Sequence, residues 1–168
     1  MTQLQHPPIL GTSQAEWPDE PACARDAGRL ARGLRRGAAR CDAFVELEGP
    51  LGAGKTTFVR HLLHALGVEG RVKSPTYAVV ETYELPDVAV SHFDFYRFDD
   101  TQDWEDAGLR DLFGAAGLKL VEWAEKAEPL LPVPDLRVTI TPHGGTIRGV
   151  RFDAMTPLGL QLLDNPGS

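Results

Sequence analysis

The sequence predicts a single α/β domain of three layers, with a mainly parallel central sheet, flanking helices and a C-terminal antiparallel addition. Three observations predict it. An apolar run at 43–47 enters a glycine-rich loop and leaves it as a helical pattern at 56–66, which is a strand–loop–helix unit. Further β-rich runs lie at 77–83, 88–95 and 119–123, the last two separated by an acidic stretch of helical character. Two more, at 137–141 and 147–152, flank His143, Gly144 and Gly145, the pattern of a β-hairpin.

Taken in order, residues 1–18 hold Pro7, Pro8 and Pro18 among polar residues without periodicity, and are expected to form a flexible arm. The folded domain is expected over 19–163, and the tail 164–168 is expected to fray. Residues 26–36 read as a basic amphipathic helix. Leu30, Ala31 and Leu34 share its apolar face; Arg29, Arg32, Arg35 and Arg36 lie elsewhere, solvated or facing an acidic partner or phosphates. In the helix at 56–66, Phe58, Val59, Leu62, Leu63 and Leu66 recur at helical spacing and Gly67 is the stop. The acidic stretch 99–112 is expected to be helical, and 124–130 a short helix stopped by Pro132.

Composition narrows the function. The chain has 17 Lys and Arg against 24 Asp and Glu, a net charge of −7, which argues against a domain that grips nucleic acid unaided. Its two cysteines, Cys23 and Cys41, make no zinc pattern and are read as reduced thiols. Residues 1–10 have neither the basic nor the apolar region of a signal peptide, and no run approaches the ~20 apolar residues of a membrane span. A cytoplasmic protein is the expectation.

The segment Gly49-Pro50-Leu51-Gly52-Ala53-Gly54-Lys55-Thr56 fits G-x-x-x-x-G-K-[ST] at every fixed position. Glycines let backbone N–H groups turn toward a phosphate, and the helix that follows aims its positive end at the same anion. On this reading the amides of Leu51, Gly52, Ala53, Gly54, Lys55, Thr56 and Thr57 bind phosphate. Lys55 reaches the β- and γ-phosphates of ATP, and the Thr56 hydroxyl ligates Mg²⁺. The fold expected is therefore P-loop NTPase-like.

A strand-end carboxylate must complete the metal's shell, and two candidates stand on different strands: Asp94 and Glu122. Each has an ordinary alternative as a solvated strand end. Thr76, in Ser74-Pro75-Thr76, is a candidate γ-phosphate sensor or a residue of a plain turn. His92 either lines the site or packs at a strand end, and Arg97 is expected to pair with Asp94 or Asp99. His61 and His64, three apart on a helix with no third ligand evident, are read as surface residues.

Four segments in order resemble the TsaE family: residues 49–57, Ser-Pro-Thr-Tyr at 74–77, His-Phe-Asp-Phe-Tyr-Arg at 92–97 and Val-Glu-Trp at 121–123. The similarity spans about 19–142. The resemblance implies an ATPase that supports threonylcarbamoyladenosine modification of tRNA at adenosine 37. It would act on the TsaB–TsaD complex and meet tRNA only through those partners, without transferring the threonylcarbamoyl group itself. It further implies Thr56 and Glu122 as Mg²⁺ ligands and Asp94 as the residue required for hydrolysis.

This sequence departs from the family in having Pro50 where Asp is usual, and Ala24 where a Thr contributes to the base site. Two other readings share the same loop. A small-molecule kinase would need arginines over the phosphates, whereas the stretch after Arg97 is acidic. A nucleotide-gated binding module with negligible turnover would need the same ligands as a slow ATPase.

Overall fold

Two strand-rich ends of the chain meet in one sheet of seven strands in the computed structural model, which describes residues 7–36, 42–98, 108–127 and 130–163. The strands are β1 (Gly11–Trp17), β2 (Phe44–Glu48), β3 (Val80–Glu84), β4 (Ala89–Asp94), β5 (Leu118–Glu122), β6 (Leu136–Gly144) and β7 (Ile147–Ala154). The helices are α1 (Glu20–Arg35), α2 (Lys55–Leu66), α3 (Leu109–Gly114) and α4 (Pro157–Leu163). The strand order is β1-β7-β6-β2-β5-β4-β3.

The pairing corrects the expectation of a mainly parallel sheet. Pairs β2–β5, β2–β6 and β4–β5 are parallel, whereas β1–β7, β6–β7 and β3–β4 are antiparallel, so the sheet is mixed. The parallel part is the centre, where strands are buried and joined by crossovers. The expected C-terminal antiparallel hairpin is present as β6 and β7.

The largest departure lies in the expected arm. Residues 11–17 are not loose: they form β1, whose seven residues pair with β7 from Gly11 opposite Ala154 to Trp17 opposite Arg148. The segment is largely polar and exposed, so no apolar alternation announces it; its partner strand, more than 130 residues away, supplies the order. Helix α1 likewise begins at Glu20 rather than residue 26. The Asp19 carboxylate accepts the Ala22 N–H at 3.0 Å, a side-chain N-cap, and Pro21 sits in the first turn where no N–H is needed. Of the expected strand 77–83 only 80–83 is extended, in a strand that runs on to Glu84, because Val79 N–H bonds back to the Pro75 carbonyl and closes a turn. In the region expected to be a helix at 124–130, Ala124–Lys126 is a single 3₁₀ turn. Of the expected acidic helix, residues 99–107 lie outside the described residues, and α3 occupies Leu109–Gly114. Helix α4, with no counterpart among the expected elements, packs on β7, β1 and α1.

Strand alternation divides the core in two. Val45, Leu47, Val90, Leu118, Leu120, Leu136, Val138 and Ile140 face α1 and α2, in a cluster with Leu30, Leu34, Phe58, Leu62 and Leu63. Phe44, Phe93 and Val121, one residue out of phase, join Phe95, Phe98 and Leu109 on the opposite face, against which Leu112 and Phe113 of α3 pack. The same parity puts His92 and Asp94 on the face of Val90, and Glu122 on the face of Leu120. Polar residues at the ends of β4 and β5 are thereby aimed toward α2.

Phe58 is fully buried and stacks on Trp17, with ring centroids 5.5 Å apart and planes at 10°, tying α2 to β1. Truncation would leave a large cavity where little can collapse. Phe58→Ala is expected to lower stability by about 3–5 kcal/mol, read as a lower urea midpoint in equilibrium unfolding.

Candidate functional site

The loop between β2 and α2 takes its shape from glycine. Gly54, the residue before α2, has φ of 111°, and Gly49 has φ of 152° with room for no side chain: a Cβ there would lie 2.5 Å from the Ile140 carbonyl oxygen. Helix α2 has no side-chain cap at its start, so its first amides are free to serve a ligand. Pro50 accepts the Ala53 N–H through its carbonyl at 3.0 Å; its own missing N–H leaves this turn intact.

Lys55 opens α2 and is nearly buried, 5% exposed. Its Nζ donates to the Gly49 carbonyl at 2.6 Å and lies 3.7 Å from the centroid of the Trp123 ring. Burial lowers the pKa of the ammonium, opposed by the carboxylates of Glu122, Glu125, Asp94 and Glu48. Trp123 follows β5 with φ of 60°, a left-handed conformation that a bulky residue seldom takes. Tyr96 packs beside it at 4.9 Å.

One residue into α2, the Thr56 hydroxyl donates to Glu122, with Oε1 at 3.0 Å and Oε2 at 3.3 Å. The β4–β5 register sets Asp94 beside Glu122, both at the ends of adjacent parallel strands. Asp94 accepts the Tyr96 N–H at 2.9 Å and the Thr76 hydroxyl at 3.2 Å, and Thr76 is also bonded to the Ser74 hydroxyl at 2.9 Å. Val79, at φ of 70°, turns the Thr76 segment over the end of β4, where its carbonyl accepts the Asp94 N–H. His92 bonds Glu122 Oε2 at 2.6 Å. Of the sequence candidates, Lys55, Thr56, Thr76, Asp94 and Glu122 thus converge on one site.

The remaining candidates lie outside this site. Arg97, expected to pair with Asp94 or Asp99, lies over the Tyr77 ring at 4.3 Å; Asp99 is outside the described residues. His61 bonds Glu20, and His64 bonds the Gly70 carbonyl, on the surface and apart from the site. Cys23 is buried, and burial, with Glu20 and Asp26 nearby, pushes its thiol up to about 12, so it stays protonated at neutral pH. Cys41 lies outside the described residues.

Two features escaped the sequence reading. A cavity of about 230 Å³ opens beside the loop, lined by Ala53, Gly54 and Thr57, by Trp17 and Cys23, and by Thr146 and Arg148 of the hairpin. From β7, Arg148 donates Nε to the Ala53 carbonyl at 2.9 Å. A trans peptide points its C=O and the following N–H in opposite directions, so pinning this carbonyl toward the hairpin turns the Gly54 N–H away from it. No local motif marks Arg148; the pairing of β7 with β6, and of β6 with β2, brings it near the loop.

Oxygen donors dominate the remaining chemistry. Among the described residues no cluster of three or more His, Cys, Asp or Glu could hold a metal alone. The oxygens of Thr56 and Glu122, with the Asp94 carboxylate alongside, suit instead a hard cation that completes its shell with other oxygen donors. Among the described residues no helix is long and apolar enough to cross a membrane.

The site also stores a pH dependence. Burial above all, with the Glu122 carboxylate, raises the Asp94 carboxyl above its ordinary 3.8, against the lowering by the Tyr96 N–H and the Thr76 hydroxyl. A folded value raised above the unfolded one gives stability that is full below the ordinary value and lost as pH rises through the raised one. With neither nucleotide nor metal present, Asp94→Asn is therefore expected to melt above wild type at pH 7. That advantage should shrink as pH falls through the raised value and be gone below the ordinary one, measured by thermal melts across that interval.

The family model for the threonylcarbamoyl adenosine biosynthesis protein TsaE matches residues 17–149. The tRNA threonylcarbamoyladenosine biosynthesis protein TsaE of Haemophilus influenzae is 38% identical over 146 residues, 87% of this chain and 92% of that protein. Its namesake from Bacillus subtilis is 39% identical over 111 residues, 66% of this chain and 69% of that one. The crystal structure of Bacillus subtilis YdiB superposes with a TM-score of 0.75 at 27% identity, covering 92% of this chain and 93% of the other. With this family match extending across the glycine loop, both strand-end carboxylates and the start of the hairpin, the chain belongs to the TsaE family of tRNA threonylcarbamoyladenosine biosynthesis proteins.

Proposed function

We propose that this protein binds and hydrolyses MgATP on a P-loop fold, and that it does so to support threonylcarbamoyladenosine formation by a TsaB–TsaD complex. One observation carries the reading. The Thr56 hydroxyl, one residue beyond the loop lysine, meets the Glu122 carboxylate from a neighbouring strand, with Asp94 alongside. A phosphate loop, a hydroxyl and two strand-end carboxylates form the oxygen-rich setting that a metal-bound triphosphate needs.

In this reading the amides of residues 51–57 and the positive end of α2 hold the phosphates. Lys55 leaves the Gly49 carbonyl to bind the β- and γ-phosphates, and the nucleoside enters the cavity between Trp17 and Arg148. Thr56 and Glu122 would hold Mg²⁺, which supplies charge neutralisation on the phosphoryl oxygens. Asp94 orients the water that attacks the γ-phosphate, and Thr76, bonded to Asp94, senses whether that phosphate is present. Partners TsaB and TsaD would read the nucleotide state through exposed residues of the segments that build the site, Leu51, Tyr77 and Tyr96 among them. The net charge of −7 is in keeping with a protein that meets tRNA only through them.

The test is phosphate release from MgATP by the purified chain, alone and with TsaB, TsaD and tRNA. Slow release that rises with the partners and vanishes in Asp94→Ala is the expected result. Transfer of phosphate to a small metabolite would put a kinase in its place, and nucleotide binding without turnover under every condition would leave a gated binding module. Lys55→Ala should weaken ATP binding by about 3 kcal/mol, roughly 100-fold, through loss of a charged phosphate contact. Asp94→Ala should keep that affinity, as titrated by fluorescence of a labelled nucleotide. Arg148→Met, which frees the Ala53 carbonyl, should weaken binding roughly 10-fold by the same titration.

A further inference from the structure

His92 is wholly buried, yet it is not satisfied as a core residue. Its Nε2 lies 2.6 Å from Glu122 Oε2, while its Nδ1 has no hydrogen-bond partner among the described residues. A carboxylate only accepts, so the Nε2–H is the donor, and Nδ1 is left without a partner. Burying an unpaired polar atom is costly, and an apolar ring of similar size would avoid that cost. What the histidine adds over such a ring is one N–H aimed at one oxygen.

The placement of that N–H follows from the strands. His92 and Asp94 are two apart on β4 and face the same side. The parallel register puts His92 beside Leu120 and Asp94 beside Glu122, so the His92 ring reaches diagonally along the sheet to the carboxylate. Glu122 is then gripped from two sides, by Thr56 nearer Oε1 and by His92 on Oε2. With Oε2 held, the carboxylate cannot rotate freely, and Oε1 stays turned toward the hydroxyl of α2.

We propose that His92 is a positioning residue, holding the Glu122 carboxylate in the orientation in which Glu122 and Thr56 together receive a divalent cation. The inference rests on the MgATP reading above. An outer hydrogen bond of this kind sets both the direction and the basicity of a metal-binding oxygen.

The experiment measures Mn²⁺ binding by electron paramagnetic resonance, with the full chain and a non-hydrolysable ATP analogue. Binding of a fluorescent nucleotide in EDTA is followed in parallel. His92→Phe removes the donor, His92→Asn places its amide where Nδ1 stood, and His92→Gln places an amide N–H near the former Nε2. The Phe and Asn variants are expected to lose Mn²⁺ affinity roughly 10-fold, with metal-free nucleotide binding unchanged and Gln recovering most of the loss. If His92→Phe does not fold, the Asn and Gln pair carries the comparison. Mn²⁺ affinity equal to wild type in His92→Asn overturns the proposal, as does a matching loss of metal-free nucleotide binding, which would mark a collapsed site. The underlying reading fails separately, if the wild-type chain shows no nucleotide-dependent Mn²⁺ site or if Glu122→Gln binds Mn²⁺ as well as wild type does.

Discussion

The parallel register of β2, β5 and β4 governs the rest of the site. It sets Leu47 opposite Glu122 and Glu122 opposite Asp94, so three strands end level with one another beneath the start of α2. The loop after β2 then has a defined edge to cross, and the first turn of α2 arrives with Thr56 above Glu122. A slip of one residue in β5 would turn Glu122 into the aromatic cluster and present Val121 to Thr56. The apolar alternation that fills both faces of the sheet is therefore also what aims the carboxylates.

Around this edge the chain accepts local strain. Val79 and Trp123 both have positive φ, and each begins or ends a segment that covers the site: the Thr76 turn over Asp94, and the indole under Lys55. Burial raises the Asp94 carboxyl and lowers the Lys55 ammonium, so both groups sit where the isolated protein would rather have neutral ones. On the function proposed above, a polyphosphate and a cation would supply the opposite charges to each. The same burial that costs the site stability strengthens its electrostatics toward a charged ligand.

The outer strands do more than close the sheet. Through β7, β1 is joined to β6 and so to β2, and the hairpin carries Thr146, bonded to the Pro18 carbonyl, and Arg148, bonded to the Ala53 carbonyl. Trp17, at the end of β1, stacks on Phe58 and holds Asp26 of α1 through its ring N–H at 2.7 Å. Both ends of the chain thereby build one wall of the cavity beside the glycine loop.

Local rules were enough to locate the loop, α2, the hairpin and the two carboxylates, because each is written in contiguous residues. Glycines mark backbone that needs positive φ, period-3.6 apolar spacing marks α2, and apolar runs ending in an acid mark β4 and β5. Strand β1 was not legible: its residues are polar, and its order comes from β7. Asp19 and Pro21 are the signals of the true start of α1, but its strong apolar periodicity begins only near Leu30, a turn or more into the helix. Nor could the sequence say that the sheet is half antiparallel, that His92 grips Glu122, or that Arg148 reaches Ala53. Those depend on register and on contacts between residues 30 to 95 positions apart, which side-chain spacing along one strand does not encode. The chemical groups were determined by the sequence, and their aim and partners by the packing of distant strands into one sheet.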